Sequence, residues 1–285
     1  MEFQITLPPQ QEEISLRELL ENEWLIPRKV RHFLRVRKNV LLAGEAITFS
    51  DKVHANDTLT VILDDADYQH QEVLLGKANL VEVLYEDEHL IIVNKTAGMK
   101  THPNAPDEQN TLQNHLAAYL EPQQQRPFVV HRLDKETSGA IVFAKNPLIL
   151  PVLGRLLESK EIKRVYQAIV RGKLTKDQTI TSKIGRHRHD RRKRVIDEVN
   201  GQTATTHITV VKAGKNSQIL CQLETGRTHQ IRVHLASLGH GIIGDPLYNP
   251  NSNSPRLQLH AYELGMIHPF TKEEIHVLAE PGLWE

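Results

Sequence analysis

From Leu80 onward the apolar residues recur mostly with a period of two, and this alternation constrains the fold more than any other feature. Val81, Val83 and Tyr85 alternate with polar neighbours, Leu90 to Val93 is a run of the buried type, and segments 140–144, 165–170, 207–211 and 218–223 follow suit. Helices are fewer. Segment 111–120 places Leu112, Leu116, Ala117 and Leu120 on one face, and 147–157 is a second candidate with Pro151 inside it. Thr228 reads as the N-cap of a third helix running to about Leu238, with Gly239 at its stop. There is no strand–helix alternation, no GxGxxG, no GxxxxGK[ST] and no long repeat, so nucleotide-binding α/β folds lose their main support. An α+β class rich in strands is expected.

At 285 residues the chain has room for one or two domains. Its apolar runs fall far short of the ~20 residues a membrane-spanning helix needs. Met1-Glu2-Phe3-Gln4 has neither the basic start nor the apolar stretch of a secretory signal, which makes the cytoplasm the expected compartment. Cys221, the single cysteine, excludes an internal disulfide and a thiolate zinc cluster, and in an apolar strand it reads as a core residue. The sixteen histidines suggest metal binding, yet His187/His189 and His229/His234 lack HExxH spacing, so no metal is expected. Trp24 and Trp284 read as packing residues.

The 35 basic and 35 acidic residues cancel, but they are segregated. Between Arg155 and Arg194 fourteen basic residues face four acidic ones, a field able to draw a polyanion to one patch. Arg191, Arg192 and Arg194 are the candidate phosphate contacts there.

Residues 14–63 read as a module of their own. Ser15 and Glu18 have capping-box spacing, and Leu16, Leu19 and Leu20 supply an apolar stripe. Pro27 suits the first turn of a second helix, in which Arg28, Lys29, Arg31, Arg35, Arg37 and Lys38 surround Val30, Phe33 and Leu34. Strands are expected at 46–49 and 59–62, with turns at Ala43-Gly44 and Asn56-Asp57. This order resembles the S4 family of RNA-binding modules, although Arg37-Lys38-Asn39-Val40 lacks the glycine usual at that turn. The implied domains are 1–63, an acidic linker 64–79 with Asp64, Asp65, Asp67 and Glu72, and 80–285.

Two stretches carry the candidate chemistry. His131-Arg132-Leu133-Asp134-Lys135-Glu136-Thr137-Ser138-Gly139 lies between two apolar strands, where a turn sets polar side chains at a sheet edge, with Asp134 as the candidate carboxylate and Gly139 free to take a positive φ. Thr225-Gly226-Arg227-Thr228-His229-Gln230-Ile231-Arg232-Val233-His234-Leu235 leads from a strand into a helix and puts Arg232 on the side of His229, a natural partner for a buried carboxylate. Each also has a plainer reading, as a hairpin whose Asp binds its own backbone and as a surface ion pair or phosphate contact.

Taken together, HRLDKETSG and TGRTHQIRVHL resemble the RluA-type pseudouridine synthases, a similarity that spans roughly Leu80 to Glu280. Lys163-Arg164-Val165-Tyr166-Gln167-Ala168, Gly244-Asp245-Pro246-Leu247-Tyr248 and Arg256-Leu257-Gln258-Leu259-His260-Ala261 match further family segments, while Thr96 stands where the family usually has proline. The resemblance implies a mixed, largely antiparallel catalytic sheet. It also implies isomerisation of uridine to pseudouridine in RNA, with Asp134 as the essential carboxylate, Tyr166 as the active-site tyrosine and Arg232 as the partner of Asp134. Arg132 would enter the space left by the extruded nucleotide, with His131, Thr137, Arg227 and His229 beside the substrate. Arg28, Lys29, Arg31 and Arg35 join the basic segment as expected contacts to the RNA backbone.

Such chemistry moves no electron pair to a cofactor and no phosphoryl group, so no cofactor is expected. One carboxylate suffices, as nucleophile at C1′ or base at C2′, whereas a glycosidase needs a second. Two rivals stand beside this reading: a catalytically silent RNA-binding protein of the same fold, and a glycoside-processing enzyme with another carboxyl group facing Asp134, for which Glu136 is nearest in sequence. Large-subunit ribosomal RNA is the first expected target and transfer RNA the alternative; no membrane partner is expected, and the chain is expected to be a monomer.

Overall fold

Local signals set most of the N-terminal elements. In the computed structural model, which describes residues 1–64, 68, 72–252 and 254–282, β1 (Glu2–Thr6) pairs antiparallel with β6 (Thr58–Ile62). β3 (Val40–Leu42) and β4 (Glu45–Ala46) extend that sheet in the order β1-β6-β3-β4, while β2 (Ile14–Ser15) pairs with β5 (Lys52–Val53). The Ser15–Glu18 capping box forms, but α1 (Leu16–Glu18) passes at once into a π turn over Leu19–Glu23; Leu16, Leu19 and Leu20 are fully buried. Pro27 caps α2 (Arg28–Arg37) from just outside the helix. The strand expected at 46–49 shrinks to its first residue, because Thr48 and Asp51 close a turn there, Asp51 accepting from the Thr48 N–H at 2.6 Å. Asp65 and Asp67 of the expected linker, and Trp284, lie outside the described residues.

The remaining strands build one eleven-stranded sheet. They are β7 (Val83–Glu86), β8 (Leu90–Lys95), β9 (Phe128–Val129), β10 (Ser138–Ala144), β11 (Lys163–Arg171), β12 (Gln178–Arg186), β13 (Arg194–Ile196), β14 (Gln202–Lys212), β15 (Asn216–Leu223), β16 (Leu259–Ile267) and β17 (Glu274–Leu278). Their order is β13-β12-β14-β15-β11-β16-β10-β8-β7, with β17 on β16 and β9 on β10. Among the described pairings only β10 with β16 is parallel, so the sheet is mixed and largely antiparallel, as the resemblance implies. The helices are α3 (Leu112–Leu120), capped by Thr111, α4 (Leu150–Glu158), with Pro151 harmless in its first turn, and α5 (Gln230–Ser237).

Leu90 to Val93 reads as a buried run because both faces of the sheet are covered. Leu90 and Ile92 join a core with Ala140 and Val142 on one face, while Ile91 and Val93 join a core with Ile141 and Phe143 on the other. The first core is continuous with the N-terminal segment. Trp24 packs against Phe270 with ring centroids 4.9 Å apart and the planes tilted by 54°, and Arg155 donates to the Leu25 carbonyl at 2.8 Å. The second core lies beneath the candidate site and contains Leu116, Leu133, Tyr166, Cys221, Ile231 and Leu235.

Candidate active site

Asp134 sits in the loop between β9 and β10, and that loop is held on both sides of it. The Leu133 carbonyl accepts from Thr101 Oγ1 at 3.0 Å, and the Lys135 carbonyl accepts from the Gly98 N–H at 2.9 Å and from Lys95 Nζ at 3.1 Å. Lys95 is fully buried and also donates to the carbonyls of Thr96 and Met99; burial pulls its pKa down to about 7. Buried Thr137 closes the turn, its N–H donating to the Asp134 carbonyl. Gly139 follows with φ +112° at the parallel joint, where a Cβ would lie 2.2 Å from the Ala261 carbonyl oxygen, so only glycine fits.

On the other side of the site the chain turns into α5. The N-cap is His229 rather than Thr228, and it carries no side-chain cap; it takes the left-handed conformation, φ 59°. Gln230, the first helical residue, ties down the preceding loop, its Oε1 accepting from the Arg227 N–H at 3.0 Å and from Thr225 Oγ1 at 2.8 Å. A left-handed non-glycine residue costs about 1–2 kcal/mol, and here the turn aims the imidazole at Asp134, with Nε2 3.6 Å from Oδ2. Nδ1 meets the Tyr248 hydroxyl at 2.9 Å, which itself accepts from the Arg194 N–H at 2.7 Å. Burial lowers the His229 pKa, against the opposing pull of Asp134. Downstream, Gly239 ends the helix at φ +79°.

Arg232 joins the two halves. Its Nη1 donates to Asp134 Oδ2 at 3.0 Å, while Nε and Nη2 make a fork to Asp245, both at 2.8 Å. Its guanidinium lies 5.2 Å from the Tyr248 ring centroid. Burial alone would raise the Asp245 pKa, but Arg232 and the N–H groups of Leu247 and Tyr248 hold it below the usual carboxylate range. Arg232 is therefore fixed first by a fully buried carboxylate and offers its remaining edge to Asp134. Sequence reasoning paired Arg232 with Asp134 and missed Asp245; the Gly244-Asp245 turn thirteen residues on was the available signal.

These groups enclose a cavity of about 210 Å³ lined by Asp134, Arg132, Arg164, Tyr166, His229 and Arg232 among others, smaller than the ~300–1,000 Å³ of drug-sized sites. Tyr166 reaches it from β11 at a bulge: β11 slips its register on β16 between Val165 and Tyr166. Burial raises the Tyr166 pKa, so the phenol is neutral, and its hydroxyl makes no hydrogen bond among the described residues. Arg132 stands exposed at the cavity mouth, Arg227 is exposed with Nε on the Thr203 carbonyl, and His131 is half-buried, its Nε2 accepting from the Val142 N–H at 3.4 Å. Asp134 is the only carboxylate lining the cavity among the described residues. Glu136 does not line it, and its nearest cation is Lys135, so the second carboxyl a glycosidase would need does not face Asp134. Among the described residues no three His, Cys, Asp or Glu side chains gather for a metal ion.

The expected backbone contacts are only partly available. Arg17, Arg28, Arg31 and Arg35, with His32 and Phe49, line a groove of about 440 Å³, in which Arg31 is paired with Glu21; Lys29 lies outside it, over Phe33. Arg191 is exposed, but Arg192 is held by Asp190 in a fork at 3.0 and 2.9 Å, and Arg194 turns its Nη1 onto the carbonyls of Arg191 and Lys193. The 186–194 loop is thus less of a free cationic patch than its composition suggests.

Residues 89–237, more than half of the chain, match the RNA pseudouridylate synthases. The chain belongs to this family. Residues 3–59 match the RluD ribosomal pseudouridine synthase N-terminal domain. An RNA pseudouridine synthase of Bacillus subtilis strain 168, YhcT, is 40% identical over 92% of this chain and 91% of its own length. Ribosomal large subunit pseudouridine synthase D of Nitrosomonas europaea is 38% identical over 87% of this chain and 73% of its own length. Human RNA pseudouridylate synthase domain containing 1 shares the fold, with a TM-score of 0.59 and 28% identity over 73% of this chain and 86% of that one. This pseudouridine synthase carries no helix, among its described residues, long and apolar enough to cross a membrane.

Proposed function

We propose that this pseudouridine synthase modifies uridine in large-subunit ribosomal RNA in the cytoplasm, using Asp134 as its essential carboxylate. The observation that carries the catalytic part is the lone cavity carboxylate, with Arg232 at 3.0 Å and Tyr166 lining the same space. A flipped uridine brings its C1′–C2′ edge to Asp134, which attacks C1′ or removes the C2′ proton; the hydrogen bond from Arg232 holds the carboxylate in position for it. Neutral Tyr166 stacks on the base. Arg132, at the cavity mouth, fills the gap in the RNA, offsetting the few kcal/mol that extrusion costs. Residues 1–63 act as an RNA-binding module through the groove of Arg17, Arg28 and Arg35, whose phosphate contacts give affinity without sequence choice. The ribosomal target draws support from the N-terminal match and from the printed activity of the Nitrosomonas relative. Mapping pseudouridines in ribosomal and transfer RNA from cells with and without the protein tests it. Loss of a defined site in large-subunit RNA is expected; losses confined to transfer RNA would overturn the target.

A further inference from the structure

Of the four arginines that line the cavity, Arg132, Arg164 and Arg232 differ most in how their charge is answered. Arg232 meets two carboxylates, and Arg132 is exposed to water. Arg164 has neither. It is only 8% exposed, makes no hydrogen bond or ion pair among the described residues, and its Nε is shielded without a partner, yet it lines the cavity two positions before Tyr166 on the same strand. Gly226 leaves it room: a Cβ there would lie 3.0 Å from Arg164 Nη1. Half-buried His131 is held neutral by burial and by Arg164 itself, so it adds no counter-charge. A guanidinium taken out of water with no anion is unfavourable unless an anion arrives from outside.

The reaction supplies one. Whether Asp134 bonds to C1′ or takes the C2′ proton, the N1–C1′ bond breaks and its electron pair leaves with the base, giving a uracil anion whose charge spreads over N1, O2 and O4. That charge is consumed when C5 bonds to C1′ as the Asp134–C1′ bond breaks, or as Asp134 returns its proton to C2′; C5 then gives up its proton and N1 takes one. We propose that Arg164 is the group that holds this detached uracil anion, donating to its carbonyl edge and stabilising the charge that develops as the glycosidic bond breaks. The assignment rests on the pseudouridine synthase reading and deepens it by naming what receives the leaving base.

The test compares wild-type enzyme, Arg164→Gln and Arg164→Lys in single turnover with saturating large-subunit RNA transcripts, made either with uridine or with 5-fluorouridine, whose anion is intrinsically more stable; because C5 of the fluoro base has no proton to lose, the rate read on both RNAs is the disappearance of the N1–C1′ linked nucleoside. Arg164→Gln should lower the rate by about 10²–10³-fold, the usual loss when an oxyanion donor is removed, and Arg164→Lys should recover part of it. RNA affinity should change by less than about threefold, and the Gln deficit should be smaller on 5-fluorouridine RNA. An unchanged rate, weakened binding at an unchanged rate, or equal deficits for both variants on both RNAs would overturn the assignment. No turnover by the wild-type enzyme on any of these RNAs would instead strike the reading beneath it, and this role with it.

Discussion

At the scale of single residues the site works by answering some charges and withholding answers from others. Asp245 holds Arg232 by a fork, so Arg232 needs no help from Asp134 to stay in place, and Asp134 is left with one strong donor and an accessible carboxylate oxygen. Tyr166 is neutral because burial disfavours the phenolate, and no protein group ties its hydroxyl down among the described residues. Tyr166→Phe should keep the fold within about 0.5 kcal/mol and keep RNA affinity, while single-turnover pseudouridine formation slows, because a phenyl ring still stacks on the base but has no hydroxyl to assist loss of the C5 proton. A wild-type rate in that variant would confine Tyr166 to stacking. Asp134, Tyr166 and Arg232 were legible in the sequence because their types suit the chemistry and their motifs resemble a family. Arg164 was not, since one arginine among fourteen basic residues in its segment is indistinguishable from surface until its burial is known.

Among the elements, those with strong local signals formed where sequence placed them: the alternating strands β10, β11, β14 and β15, the capped helix α3, and the turn at Ala43-Gly44. The missing S4 glycine has a counterpart in geometry. Lys38 takes its place as the C-cap of α2, with φ 55°, a conformation that favours glycine. Lys38→Gly should raise stability by about 0.5–1 kcal/mol in urea titration, since it removes left-handed strain at an exposed position; a loss of stability would contradict this account of the turn. What stayed illegible was non-local. β12 is polar along much of its length because its outer face meets water, and the β10–β16 joint links Ser138 to His260, so no window around either residue holds the information. The helix starts one residue later than Thr228 suggested, because His229 takes the left-handed turn at the N-cap.

For the whole molecule, burial of neutral imidazoles makes stability depend on pH. Burial lowers both His89 and His234 to about 4; His234 is fully enclosed between the hydroxyls of Ser182 and Thr206, and among the described residues no carboxylate pairs with it. In the unfolded chain both titrate near 6.5, so between about 6.5 and 4 the unfolded state binds more protons. The contribution of these two histidines is therefore full above about pH 6.5 and lost as pH falls toward 4, by roughly 1.4 kcal/mol per unit for each. Urea unfolding at pH 7.5 and 5.0 should reveal that loss, and equal free energies would contradict it. One core runs from Trp24 to Phe270, and the cavity opens on the opposite face of the sheet. The most direct measurement is on purified Asp134→Asn, comparing pseudouridine formation with RNA binding under identical conditions. An isosteric amide can still pack beside Arg232 but can neither attack C1′ nor accept the C2′ proton. Turnover should vanish while the Kd for RNA stays within about threefold of wild type. Pseudouridine formation at the normal rate would contradict the account.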